Sequence, residues 1–184
     1  MYKNKKILGL ITARGSSSSI PKKNIALLAG RPLVSYTIEA AKKSQLLTRT
    51  IVSTDNEEIS AVAKAHGADV PFQRPAELAQ YDTPHIPVVR HALDWLKEQQ
   101  GEDYDYVMIL QPTSPLRTGA DIDAAIIKAI DTGADSVMSK VEIVDFDPVK
   151  IKRIENDLIL PLFADEGAQS ARRQSGQKDY KRNC

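Results

Sequence analysis

Ile7-Leu8-Gly9-Leu10-Ile11-Thr12-Ala13 decides the fold. A strand with one face in water alternates apolar and polar residues; this run is apolar almost throughout, the pattern of a strand covered on both faces. Working outward, Thr50-Ile51-Val52-Ser53 and Tyr106-Val107-Met108-Ile109-Leu110 read the same way, Tyr106–Leu110 being the clearest strand of the chain. Val70 to Phe72 is a weaker strand and Ser136 to Val144 a further one. Helical patterns lie between them. Arg31 to Lys43 carries Pro32 in its first turn and apolar Leu33, Tyr36, Ala40 and Ala41. Asp55 and Glu58 form a capping pair for a helix from Glu57 to His66 that Gly67 ends. Pro84 to Glu98 places Ile86, Val89, Leu93 and Leu96 along one side, and Ala120 to Asp131 makes another helix. This alternation predicts an α/β fold: a doubly wound, mostly parallel sheet in three layers.

The α/β pattern covers residues 1–147. Residues 148–184 read as a small C-terminal extension, in which Lys150–Ile154 and Leu158–Leu162 form a hairpin turning at Glu155-Asn156-Asp157. A polar, basic tail from Ala168 to Cys184 follows.

At 184 residues the chain holds one domain with a real core and no second of comparable size. Its 25 basic and 24 acidic residues give a net charge of +1, which offers no electrostatic case for nucleic acid or an anionic membrane. The only cysteine is Cys184, excluding an internal disulfide and a cysteine-based metal site. No apolar run approaches the roughly 20 residues that a membrane helix needs. Met1 to Lys6 is basic, but the apolar stretch after it reads as a strand and not as a signal peptide. The expected location is the cytoplasm.

Ligands of open parallel sheets bind beyond the carboxyl ends of the strands, where strand order reverses. Arg14-Gly15-Ser16-Ser17-Ser18-Ser19-Ile20-Pro21-Lys22-Lys23-Asn24 follows the first strand, Ser53-Thr54-Asp55 ends the second, and Gln111-Pro112-Thr113-Ser114-Pro115-Leu116-Arg117 follows the strong one. The first loop combines small residues, whose amides approach an anion closely, with Arg14, Lys22 and Lys23. That combination suits a triphosphate, although composition alone favours a solvated serine-rich loop. It is neither GxxxxGK[ST] nor GxGxxG. Gln111 offers a donor and an acceptor for a pyrimidine edge or a sugar hydroxyl; taken singly it reads as a loop glutamine bonded to nearby backbone, and Asp55 as a helix cap. His66, His85 and His91 have no metal-ligand spacing. His91 reads as packed or surface, and His85 near a helix start faces the crevice only on the less favoured reading. Trp95 reads as core or interface. Without a histidine partner, Ser16–Ser19 make no hydrolase triad.

Four stretches in order resemble the acylneuraminate cytidylyltransferase family, the synthetases of CMP-sialic acid and of related nonulosonic acids and KDO. They are Ala13-Arg14-Gly15 with Ile20–Asn24; Ile51–Asp55; Arg74-Pro75-Ala76-Glu77-Leu78-Ala79 with Asp82-Thr83-Pro84; and Leu110–Arg117. The resemblance implies a nucleotide-diphospho-sugar transferase-like fold and transfer of CMP from CTP to the anomeric hydroxyl of a sialic-acid-like sugar acid, releasing pyrophosphate. It implies Mg²⁺ as cofactor, a homodimer, and CTP and a nonulosonic acid as partners, with neither nucleic acid nor membrane. Arg14, Lys23 and Gln111 take catalytic positions. Ala13, Arg14, Gly15, Ser18, Asn24, Arg74 and Gln111 line the nucleotide site. Gln111, Lys150 and Arg173 bind the sugar acid, Pro148-Val149-Lys150, Arg173-Gln174 and Tyr180–Asn183 matching family segments.

Two positions depart from the family pattern. Ser16–Ser19 stand where the family usually reads Gly-Ser-Lys-Gly, so that Ser18 occupies the place of a phosphate-contacting lysine. The chain ends at Asn183-Cys184, ahead of the family's Asp-x-Asp metal motif, so the extension is expected to be truncated and no metal ligand is assigned. The alternative expectation is a nucleotide-binding domain of the same fold with little or no catalysis. A transferase of another nucleotide is disfavoured by the Arg74–Ala79 and Leu110–Arg117 stretches.

Overall fold

β1 (Ile7–Thr12) lies at the centre of a three-stranded parallel sheet. The computed structural model describes residues 2–17, 20–142, 152–155, 157–161 and 180–182. After β1 come a 3₁₀ turn at Lys23–Ile25, then a short antiparallel pair, β2 (Leu27–Leu28) and β3 (Arg31–Pro32). The rest of this unit is α1 (Leu33–Lys43), β4 (Arg49–Ser53), α2 (Glu57–Ala65), a 3₁₀ turn at Ala76–Ala79, α3 (His85–Gln100), β5 (Tyr106–Ile109) and α4 (Gly119–Thr132). The sheet order is β4-β1-β5, so the chain steps from β1 to one side and then crosses to the other.

Burial on both sides explains why β1 is apolar throughout. Successive strand residues point to opposite faces. Ile7 and Ile11 meet α1, α2 and α4 through Val34, Ile38, Ile59, Ala63, Ile122 and Ile126. Leu8 and Leu10, with Ile51, meet Phe72 and the Ala92 and Leu96 face of α3. The three layers and the doubly wound parallel sheet are therefore as expected.

Several local expectations are corrected. Arg31 and Pro32 form β3, and Pro32 caps α1 instead of entering its first turn. The cap of α2 is Asn56, whose side chain accepts from the Ile59 amide at 3.0 Å; Asp55 faces elsewhere. Val70–Phe72 is no strand: only single bridges form, at Asp69 and Gln73. The buried face of α3 is Val88, Ala92 and Leu96, while Ile86 is 73% exposed, because the packed stripe is rotated from the one expected.

The described residues through Val137 form one compact unit, and those from Met138 onward a second. The expected division at residues 147 and 148 lies outside the described residues. In the second unit, β6 (Lys140–Glu142) pairs antiparallel with β9 (Tyr180–Arg182), where a longer strand from Ser136 to Val144 was expected. The expected hairpin is present as β7 (Lys152–Glu155) and β8 (Leu158–Pro161), with Asp157 at φ 61° in its turn.

Candidate active site

β1, β4 and β5 are parallel, so their carboxyl ends share one edge of the sheet, where the strand order reverses and a ligand crevice is expected. Ala13 continues the ladder past β1, its amide donating to the Ser53 carbonyl at 3.0 Å. The peptide that follows is held at both ends. Asn24 Nδ2 donates to the Arg14 carbonyl at 2.8 Å, and the Gly15 amide donates to Asp55 Oδ1 at 3.0 Å. Asn24 is buried beneath the loop, where its 3₁₀ turn places it.

Arg14 reaches from the first loop to the segment before α3. Its Nη1 donates to the carbonyls of Gln80 at 2.8 Å and Tyr81 at 3.0 Å, and its guanidinium carbon lies 5.4 Å from the Tyr81 ring centroid. Ser16 Oγ adds a bond to the Ala79 carbonyl at 3.3 Å. The Lys22 ammonium pairs with Glu58 at 2.6 Å, whereas that of Lys23 has no hydrogen bond or ion pair among the described residues.

Arg74 lies at the end of β4, 5% exposed, donating through Nη2 to Ser53 O at 2.6 Å and through Nη1 to Leu78 O at 3.3 Å. Burial lowers its pKa from the ordinary arginine value, Asp55 opposing and Arg14 adding to the effect. Gln111 follows β5, and its carbonyl accepts from Arg117 Nη2 at 3.3 Å and Thr37 Oγ1 at 3.5 Å. Burial lowers the Arg117 pKa as well, with Asp121 opposing. Arg14, Arg74 and Arg117 thus bond backbone carbonyls and take part in no ion pair among the described residues. A guanidinium held by carbonyls keeps its full charge, with no directly bonded carboxylate to neutralise it.

The structure therefore brings Ala13, Arg14, Gly15, Lys23, Asn24, Arg74 and Gln111 to the loops around one set of strand ends. Ser18, Lys150 and Arg173 lie outside the described residues. Two features were missed from sequence. His85 Nε2 is 3.1 Å from Thr12 Oγ1, which places the ring at the carboxyl end of β1 and reverses the favoured reading of His85. Asp55 holds the first loop, a role that no local sequence pattern signals. His91 and Trp95 pack on Phe72, as expected.

A metal set is not found among the described residues: no three His, Cys, Asp or Glu side chains converge. Asp55, beside the crevice, is engaged by the Gly15 amide. The described residues therefore form no all-protein cage for a cation.

The chain matches the cytidylyltransferase family over residues 8–182. It belongs to that family. The N-acylneuraminate cytidylyltransferase of Escherichia coli O18:K1:H7 (strain RS218 / NMEC) is 39% identical over 121 residues, 66% of this chain and 27% of that relative. The CMP-N,N'-diacetyllegionaminic acid synthase of Legionella pneumophila subsp. pneumophila (strain Philadelphia 1 / ATCC 33152 / DSM 7513) is 42% identical over 123 residues, 66% of this chain and 52% of that relative. The chain thus spans about half, or less, of the length of these relatives. Among solved structures, a CMP:2-keto-3-deoxy-manno-octonic acid synthetase complexed with CTP superposes with a TM-score of 0.64 at 18% identity, covering 82% of this chain and 60% of that one. A 4-diphosphocytidyl-2C-methyl-D-erythritol synthase gives 0.64 at 14% identity, covering 97% and 73%. At such identities the likeness concerns the fold, and it is the cytidylyltransferase fold that this family member shares. Among the described residues no helix is long and apolar enough to cross a membrane.

Proposed function

We propose that this cytidylyltransferase-family chain transfers CMP from CTP to the anomeric hydroxyl of a sialic-acid-like sugar acid. The observation that carries the reading is the 39–42% identity, over two thirds of the chain, to enzymes named for N-acylneuraminate and diacetyllegionaminic acid. In the reaction the sugar oxygen forms a bond to the α-phosphorus and the bond from that phosphorus to the bridging oxygen breaks. Pyrophosphate leaves with the electron pair, and the hydroxyl proton is released.

Such a displacement depends on alignment and on neutralising charge. Arg14 and Lys23 would supply charge at the phosphates, and buried Arg74 would add a fixed positive potential below them. Gln111, its backbone held by Arg117 and Thr37, would present its amide where base and incoming sugar meet. Family resemblance alone supports Mg²⁺ accompanying the triphosphate, a homodimer and a cytoplasmic location.

Incubating the chain with CTP, Mg²⁺ and a panel of nonulosonic acids, and measuring pyrophosphate release, tests the proposal. Release that requires both CTP and one of the sugar acids supports it. A CTP-induced rise in Tm without release from any member of the panel would instead establish a nucleotide-binding domain without turnover.

A further inference from the structure

The Arg14–Gly15 peptide is one rigid plane gripped from two directions. Asn24 donates to its carbonyl at 2.8 Å, and its amide donates to Asp55 at 3.0 Å. The second grip requires the loop to lie hard against the turn between β4 and α2. A Cβ on Gly15 would stand 2.9 Å from Asn56 Cβ and 3.0 Å from Asn56 Nδ2, so only glycine brings that amide within reach of Asp55. Asp55 is itself held, since Gln73 Nε2 donates to its carbonyl at 3.1 Å and the neighbouring Asn56 amide bonds Thr54 Oγ1 at 3.2 Å. The contact thus runs from the first loop to a fixed point at the end of β4.

We infer that Asp55 is a positioning residue for the nucleotide site: its carboxylate fixes the Arg14–Gly15 peptide and thereby sets where the Arg14 guanidinium stands. The consequence is unusual for a carboxylate beside an anion site. Its charge opposes the binding of CTP, while its hydrogen bond supports it. The two effects separate in Asp55→Asn, which keeps an acceptor oxygen for the Gly15 amide and removes the charge. Asp55→Ala removes both.

The inference rests on the reading that this crevice binds CTP, and the test has one arm that does not. By titration calorimetry on the full chain, Asp55→Ala is expected to weaken CTP binding about tenfold, the loss of one charge-assisted hydrogen bond. Asp55→Asn is expected to bind as tightly as wild type or more tightly. In the second arm, hydrogen exchange at the Gly15 amide is followed by NMR without nucleotide. It should accelerate about tenfold or more in Asp55→Ala and stay near wild type in Asp55→Asn. Unchanged CTP affinity in Asp55→Ala, or a loss in Asp55→Asn equal to that in Asp55→Ala, overturns the positioning role. Unchanged Gly15 exchange in Asp55→Ala overturns it even if wild type fails to bind CTP, a failure that by itself would count only against the proposed function.

Discussion

Arg74 Nη2 donates to the Ser53 carbonyl at 2.6 Å, and the Arg74 amide donates to the neighbouring Thr54 carbonyl at 2.8 Å. One residue thus closes the end of β4 with its backbone and its side chain together. The arrangement places a cation at the carboxyl end of β4, with carbonyl dipoles and not a carboxylate as its direct partners. Charge is kept available to a ligand while the backbone is satisfied.

Replacing Arg74 with Met should therefore cost stability first. The Ser53 and Leu78 carbonyls would lose their donor in a buried place, at a cost of about 2–4 kcal/mol. Urea unfolding should show the loss as a lower midpoint with an unchanged slope. Arg74→Lys should recover only part of it, because an ammonium lacks the fork that spans both carbonyls. Equal stability of Arg74→Met and wild type would show that the guanidinium does not hold these carbonyls in solution.

The unpaired arginines also predict how CTP binding responds to salt. Affinity should fall steadily as ionic strength rises, since a focused positive field is screened over about 10 Å at 0.1 M. Arg14→Gln should weaken CTP binding by about tenfold and flatten that salt dependence. Calorimetric titration at low and high salt measures both. A mutant with the wild-type salt slope would show that Arg14 does not take the phosphate-neutralising role proposed for it.

The sequence made the sheet legible because β1 is buried on both faces, and a short, continuous apolar run between turn residues is the pattern that such burial selects. The loops at the strand ends were legible for the same reason, with Arg14 and Gln111 just beyond β1 and β5, whereas Arg74 was marked by family resemblance alone. What escaped were the contacts that close between segments distant in the chain. Asp55 and Asn56 are adjacent and both suit an N-cap; only the approach of Gly15 shows which of them turns to the loop. His85 meets Thr12 across 73 positions, a relation that no local pattern encodes. Ile86 was placed on the packed side of α3 by spacing alone, and the rotation of a helix against its sheet depends on Phe72 and Ile51, which the spacing does not contain.

Gly119 opens α4 where that helix meets the end of α1. A Cβ there would stand 2.7 Å from the Lys43 carbonyl carbon and 2.9 Å from the Ser44 nitrogen, both backbone atoms. Gly→Ala within a helix ordinarily stabilises by up to about 1 kcal/mol. Here the sign should reverse, with a loss of about 1–3 kcal/mol from overpacking. For a chain of this size that corresponds to roughly 3–10 °C in Tm. Thermal unfolding of Gly119→Ala decides between the signs, and a raised Tm would show that the two helices separate freely at this point.

His91 supplies the clearest pH dependence. Its Nδ1 is buried without a hydrogen-bond partner, and its ring meets Phe72 edge-on at 4.9 Å. Burial lowers its pKa below the ordinary 6.5, the nearby charge of Arg74 adds to this, and Asp94 and Glu77 oppose it. The folded state therefore binds fewer protons than the unfolded state as pH falls through the unfolded value. The stability tied to neutral His91 is complete above about pH 6.5 and is lost progressively below it. Relative to His91→Gln, wild type should lose ground steadily as urea midpoints are taken from about pH 7.5 down to about pH 5. If the gap between the two proteins stays constant across that range, the ring titrates alike in the folded and unfolded states, and its burial has no consequence for acid stability.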